Sequence, residues 1–224
     1  PMQHQIRIAR ELCEAVAFLH EHQIVHRDVR PKNILFKQAV GYEGTLKLTD
    51  FGLSKDLESR DVDQSFSTTT TQAGTEIGSF GYYAPEVYRM ERPTPKVDIF
   101  STGCCVFYTL SHGGRPFADA KQPFNKYLVQ TNILTGKSDL SPIARTHPEA
   151  LELVRAMLDM EARARPSMGQ ALQYPLFWSD EARFQFLCAV GREADVGAND
   201  ASARAVLPPS LLAAAGVDAI CWRN

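Results

Sequence analysis

The chain has 224 residues, 44% of them hydrophobic, with a formal charge of -2. That balance suits a folded domain with a substantial core and gives no reason to expect the positive surface that nucleic-acid binding needs. Cys13, Cys104, Cys105, Cys188 and Cys221 are odd in number and never spaced C-x-x-C, so they are read as reduced and mostly buried, as in a cytosolic environment. No apolar run approaches the roughly 18 residues of a membrane span, and the opening Pro1-Met2-Gln3-His4-Gln5 is not a signal peptide.

Apolar residues recur at Ile8, Leu12, Ala15, Val16 and Leu19, which predicts a one-faced helix over 6–22. It leads into a polar loop, His26-Arg27-Asp28-Val29-Arg30-Pro31-Lys32-Asn33. Ile34, Leu35 and Phe36 form a short apolar strand, a turn follows at 41–44, and a second strand places Leu46 and Leu48 on its inner face before Asp50-Phe51-Gly52. From Leu53 to Gly81 the chain turns polar and rich in hydroxyls, at Ser65, Ser67, Thr68 to Thr71 and Thr75. Gly78-Ser79-Phe80-Gly81-Tyr82-Tyr83-Ala84-Pro85-Glu86 closes that stretch. Val97-Asp98-Ile99 opens a strongly apolar helix running to about Leu110, with Asp98 placed as a cap, and Gly113-Gly114-Arg115-Pro116-Phe117 ends it. Helical or capped segments are expected at 132–136, 149–160 and 167–174, with Pro166 at a helix start. A lone buried carboxylate is costly, so Glu86 needs a cation if it is buried.

The polar loop reads H-R-D-x-x-x-x-N, and Asp-Phe-Gly and Ala-Pro-Glu follow it in order. Together they resemble the catalytic loop, the metal-binding turn and the end of the activation segment of protein kinases. The resemblance implies that Asp28 orients a substrate hydroxyl, that Asn33 and Asp50 hold Mg2+, and that Lys32 and Arg30 lie beside the phosphates of ATP. Arg30 stands where most Ser/Thr kinases carry Lys. It keeps the charge but changes the geometry, so transfer of the terminal phosphate is expected to be weaker. The resemblance makes the hydroxyl-rich stretch an activation loop. A phosphate there, with Ser65, Ser67, Thr68 and Thr75 as candidates, adds close to two negative charges, and Arg27 is its expected partner. Ser79 keeps a hydroxyl where Thr is usual, within reach of Asp28. Arg165 matches the position that pairs with Glu86, and Asp98 matches the residue that accepts hydrogen bonds from the backbone of the catalytic loop.

Residues 1 to about 178 therefore resemble the C-terminal lobe of a Ser/Thr protein kinase: mainly α (α+β), helical with short β-hairpins. Within that superfamily the chain is similar to the Ire1/RNase L kinase–endoribonuclease group. The carrying residues are Asp50 to Lys55, Val97 to Phe107, Asn132 to Gly136, Tyr174 to Ser179 and Phe184 to Leu187, with Val190 to Val196 and Asp218 to Arg223 continuing the likeness. In that group the kinase passes directly into a helical RNase (KEN) domain, so 179–224 is read as the incomplete start of one. Its RNA-cleaving residues lie further along, and none can be assigned here. Residues 197–224 are expected to pack poorly by themselves.

The 224 residues contain no Gly-rich loop, no strand bearing the phosphate-binding Lys and no helix bearing its Glu partner. Losing half of the positioning those parts supply implies transfer slower by roughly a thousandfold for this stretch alone. The resemblance implies ATP and Mg2+ as cofactors, with a protein Ser/Thr residue or the chain's own activation loop in trans as substrate. It also implies a homodimer in an Ire1-like unfolded-protein-response sensor, and RNA as a partner only if the RNase part exists. The full-length parent would sit at the cytosolic face of the endoplasmic reticulum. The alternative is a nucleotide-binding scaffold that positions an attached endoribonuclease domain, but a scaffold has no need of the base at Asp28.

Overall fold

In the computed structural model the described residues are 2–37, 44–56 and 80–196, with side chains described as far as 188. Ser65, Ser67, Thr68, Thr75, Ser79 and the 197–224 segment lie outside them. Helix α1 spans Met2–Glu21 and buries Ala9, Leu12, Cys13, Val16 and Leu19, the 3.6-residue stripe that periodicity implies. The chain then forms β1 (Ile24–Val25), β2 (Ile34–Lys37), β3 (Thr45–Leu48) and β4 (Lys55–Asp56). Strands β2 and β3 pair antiparallel from Ile34↔Leu48 to Lys37↔Thr45, and β1 pairs with β4. This hairpin lies against α1, where the Leu46 amide donates to Glu11 Oε2 at 2.9 Å.

Helices α2 (Pro85–Tyr88), α3 (Lys96–Leu110), α4 (Lys126–Leu134), α5 (Ser141–Ala144), α6 (Pro148–Met157), α7 (Met168–Ala171) and α8 (Asp180–Val196) follow. Helix α3 is buried almost all round, as expected of a helix apolar on every face. It packs against α1 on one side and α6 on the other. Gly103 permits the second contact: a Cβ there would lie 2.8 Å from Met157 Cβ. Phe100 and Phe117 stack with ring centroids 5.5 Å apart. The mainly helical lobe with short hairpins is what the sequence predicts.

Several boundaries differ from expectation. The helix expected over 132–136 is the end of α4, which begins at Lys126 under an Asn125 cap that accepts from the Tyr127 and Leu128 amides; Gly136, at φ 69, follows its C-cap. The expected 149–160 helix stops at Met157. The expected 167–174 segment holds only Met168–Ala171, where a Ser167–Gln170 capping box makes Ser167 the cap and leaves Pro166 before it. Helix α5 carries too few residues to show a period.

Candidate active site

The polar loop is built around Asp98. Its carboxylate lies at the start of α3 and is fully buried. Oδ2 accepts the His26 amide at 2.8 Å and Oδ1 the Arg27 amide at 2.8 Å, and His20 Nε2 at the end of α1 donates to Oδ2 at 3.0 Å. Asp98 is thus a clamp on the loop backbone as well as a helix-end acid. It holds Arg27 in the left-handed region, at φ 67, where a residue with a Cβ is strained.

Asp28 is 5% exposed, and donors surround its carboxylate. Arg30 Nε donates to Oδ2 at 2.9 Å and Asn33 Nδ2 to the same oxygen at 2.8 Å. Tyr83 OH donates to Oδ1 at 3.3 Å. Burial, then the Asp28 charge, raise the Tyr83 phenol well above its ordinary range, which keeps it a donor at neutral pH. His26 Nδ1 accepts the Asp28 amide at 3.3 Å, so the ring proton sits on Nε2, which faces the Thr49 carbonyl at 3.1 Å.

Asn33 and Asp50 come together through Thr49. The Thr49 amide and Oγ1 both donate to the Asn33 carbonyl, at 2.9 and 3.1 Å, so the residue after Thr49 emerges beside the loop's far end. Both hydrogens of Asn33 Nδ2 are used, one on the Asp28 carbonyl at 2.8 Å and one on its carboxylate. That leaves Oδ1 as its acceptor. Asp50 is exposed, at φ 66, and its carboxylate takes no hydrogen bond among the described residues. An amide oxygen and a carboxylate, both hard ligands without protein partners among the described residues, fit a divalent cation that completes its shell with phosphate oxygens and water. Among the described residues no cluster of three or more His, Cys, Asp or Glu forms a closed metal cage. Phe51 lies against His26, ring centroids 5.0 Å apart. Lys32 is exposed in a single 3-10 turn, Pro31–Asn33.

Arg27 is 8% exposed, and its Nε has no hydrogen-bond partner among the described residues. Burial lowers its pKa, with Asp98 opposing. The Glu86–Arg165 pair is bidentate, at 2.6 and 2.8 Å. Arg165 also donates to the Asp159 and Lys96 carbonyls and lies over the Phe100 ring, so the buried charge is fully engaged. Cys13, Cys104 and Cys105 are buried free thiols; burial pushes Cys13 up to about 12 and the other two higher, which leaves them unreactive. Sequence reasoning missed His20 and Tyr83. Both belong to apolar-looking stretches, and only the crossing of α1 with α3 and the turn before α2 bring them to the loop.

A model of the protein kinase domain matches residues 1–177. A probable serine/threonine-protein kinase, irlA, of Dictyostelium discoideum is 36% identical over 81% of this chain and 11% of its own length. The serine/threonine-protein kinase/endoribonuclease IRE1 of Oryza sativa subsp. japonica is 33% identical over 84% of this chain and 19% of its own. The human kinase/endoribonuclease IRE2 is 39% identical over 80% of this chain and 19% of its own. The chain spans less than a fifth of the length of these curated relatives. A solved structure of titin kinase and its flanking domains superposes with a TM-score of 0.63 at 26% identity, covering 79% of this chain and 30% of that one. The matched domain and the buried acid loop define a phosphoryl-transfer fold. The chain belongs to the protein kinase domain family, whose members use ATP and a divalent metal.

Proposed function

We propose that residues 1–178 are the C-terminal lobe of a serine/threonine protein kinase with Asp28 as its catalytic base. The observation that carries this is the pattern of used and unused atoms. Tyr83, Arg30 and Asn33 fix the Asp28 carboxylate, while Asn33 Oδ1 and the Asp50 carboxylate lack protein partners among the described residues. When bound, ATP supplies the phosphoryl group and Mg2+ the charge that neutralises it. Asp28 accepts the hydrogen bond of a Ser or Thr hydroxyl, orients its oxygen for in-line attack and takes its proton. Arg30 stays beside Asp28 and faces the charge that develops on the transferred group. Its Nε is tied to the base, so it is a less mobile cation than the usual Lys and stabilises that charge less fully. Asn33 and Asp50 would hold the metal, and Lys32 would contribute to binding the nucleotide.

Regulation follows from Arg27. Its buried, unpartnered Nε suits a phosphate on Ser65, Ser67, Thr68 or Thr75, with Ser79 as a second hydroxyl close to Asp28; each charge-assisted bond contributes about 1.5–3 kcal/mol. We assign 179–224 to the start of a KEN-type domain, because α8 begins two residues after Trp178 and several relatives are kinase/endoribonucleases by name. On the same reading the whole protein is an Ire1-like sensor that acts on itself in trans as a homodimer, on the cytosolic face of the endoplasmic reticulum. RNA is a partner only where the later RNase residues are present. No described helix is long and apolar enough to cross a membrane. The test is transfer from labelled ATP to a Ser/Thr substrate by the full-length protein, with Mg2+ and after its chelation. Wild type should be active only with the metal. An Asp28→Asn protein that still transfers at the wild-type rate would refute Asp28 as the base, and wild-type protein that binds ATP but transfers no phosphate would leave a nucleotide-binding scaffold.

A further inference from the structure

The base at Asp28 is already occupied. A carboxylate offers about four acceptor positions, two on each oxygen. Oδ2 is full: Arg30 Nε donates to it at 2.9 Å and Asn33 Nδ2 at 2.8 Å. A substrate hydroxyl must therefore bind Oδ1. The donor found there is a hydroxyl of the chain itself, Tyr83 OH at 3.3 Å. The Asp28 side chain is 6% exposed, and Tyr83 beside it is also 6% exposed, so almost none of the base is open to a peptide.

The three bonds are unequal. The two on Oδ2 have ordinary lengths, whereas 3.3 Å is long for a bond between two oxygens, where about 2.7–2.8 Å is usual. The carboxylate is thus fixed through one oxygen and loosely capped through the other. Burial, then the Asp28 charge, keep the phenol protonated, so it remains a donor.

The backbone around Tyr83 is anchored on both sides. Gly81 turns the chain at φ 101, Ser101 Oγ donates to the Tyr82 carbonyl at 2.7 Å, and α2 starts two residues on, at Pro85. The side chain is the part that can leave Oδ1. Its ring meets Tyr88 edge-on, with centroids 6.3 Å apart. A phenylalanine would keep that ring contact and leave Oδ1 without its donor, so the effect of the hydroxyl can be isolated.

We propose that Tyr83 guards the base: its hydroxyl holds the place of the substrate hydroxyl on Asp28 Oδ1, and a Ser or Thr peptide is positioned for attack only after displacing it. This deepens the kinase reading and rests on it, and the experiment separates the two. The full-length protein and its Tyr83→Phe variant are titrated with two fluorescent peptides, one centred on Ser and one with Ala in that place. The Ser peptide is also used in the transfer assay with labelled ATP and Mg2+.

Removing the competing hydroxyl should tighten binding of the Ser peptide about tenfold, the worth of one hydrogen bond to a charged group, and lower its KM by a like factor. The Ala peptide offers Asp28 no hydroxyl and should bind both proteins alike. In otherwise wild-type protein with fluorotyrosine at position 83, the Ser peptide should move the fluorine NMR signal and the Ala peptide leave it in place. That reading keeps the hydroxyl, so it holds even where Tyr83→Phe folds poorly. A hydroxyl-dependent gain in Tyr83→Phe without phosphoryl transfer by either protein supports the guard and removes the kinase reading. Wild-type protein that transfers phosphate, with an unchanged or raised KM in folded Tyr83→Phe, overturns the proposal and leaves the kinase reading intact. A fall in kcat at unchanged KM does the same, since Tyr83 would then only support the base. An equal gain with the Ala peptide, or a fluorine signal that the Ser peptide does not move, also overturns it.

Discussion

Two residues of the site adopt the same strained backbone and are supported in opposite ways. Arg27 and Asp50 both lie in the left-handed region, at φ 67 and φ 66. Arg27 is held there because its amide and that of His26 donate to the buried Asp98 carboxylate. Such bonds contribute about 1.5–3 kcal/mol each, against about 1–2 kcal/mol for the left-handed conformation. Asp50 is exposed, no described side chain binds its carboxylate, and Asp is among the residues that tolerate this region. On the proposed reading, the protein itself preorganises the base, while the metal-holding residue depends on its ligand. The positioning of the hydroxyl would then be built into the fold, and charge neutralisation assembled only with the nucleotide.

The largest expected effect sharpens that contrast. Asp50→Asn keeps a residue suited to the left-handed region and removes only charge. It should leave unfolding free energy within about 0.5 kcal/mol while lowering phosphoryl transfer on the order of a hundredfold or more, read from urea titration and initial rates on the same preparation. Asp28→Asn should lower the rate by about 10²–10⁴ and, unlike the change at Asp50, also disturb stability, because Arg30 loses its buried partner.

Next in size is the second buried frame. Glu86→Ala strands Arg165, which is 1% exposed, and should cost about 3–5 kcal/mol in denaturant unfolding. An unchanged midpoint would mean that the pair carries no net burial penalty. Asp98→Asn should cost about 1.5–3 kcal/mol for each charged bond lost and should slow transfer although Asp98 lies beneath the loop and away from the substrate.

The smallest effect is pH-dependent. His147 is buried with Nε2 unpartnered among the described residues, and burial lowers its pKa below the ordinary 6.5, with Glu149 opposing and His112 reinforcing. Below that value the unfolded chain binds a proton that the folded one refuses, so stability present at neutral pH falls as the pH drops through about 6.5. Replacing His147 with Gln should flatten the dependence of the urea midpoint between pH 5 and 7.5 and leave the effects at Asp28 and Asp50 untouched.

Much of this was legible in the residues themselves. The period of α1, the alternation of β3 and the spacing within His26–Asn33 each reflect one local geometry, and local geometry writes itself into sequence. The same holds for Glu86 and Arg165: their distant partnership could be inferred because a buried charge demands a counter-charge. His20 and Tyr83 carry no such demand. Each is ordinary in its own segment and gains its role from the crossing of α1 with α3 or from the turn at Gly81. The start of α4 was missed because Tyr127, 71% exposed, blurs its polar face, so that only its glycine-terminated end shows.

Native-state hydrogen exchange, resolved to single amides, tests the central contrast most directly. In the absence of nucleotide, the His26 and Arg27 amides should exchange only through near-global unfolding, because Asp98 holds both. The Phe51 and Gly52 amides should exchange fast and become protected on addition of ATP and Mg2+. Fast exchange at His26 and Arg27 in the free protein, or strong protection at Phe51 and Gly52 before any ligand is added, would contradict the account.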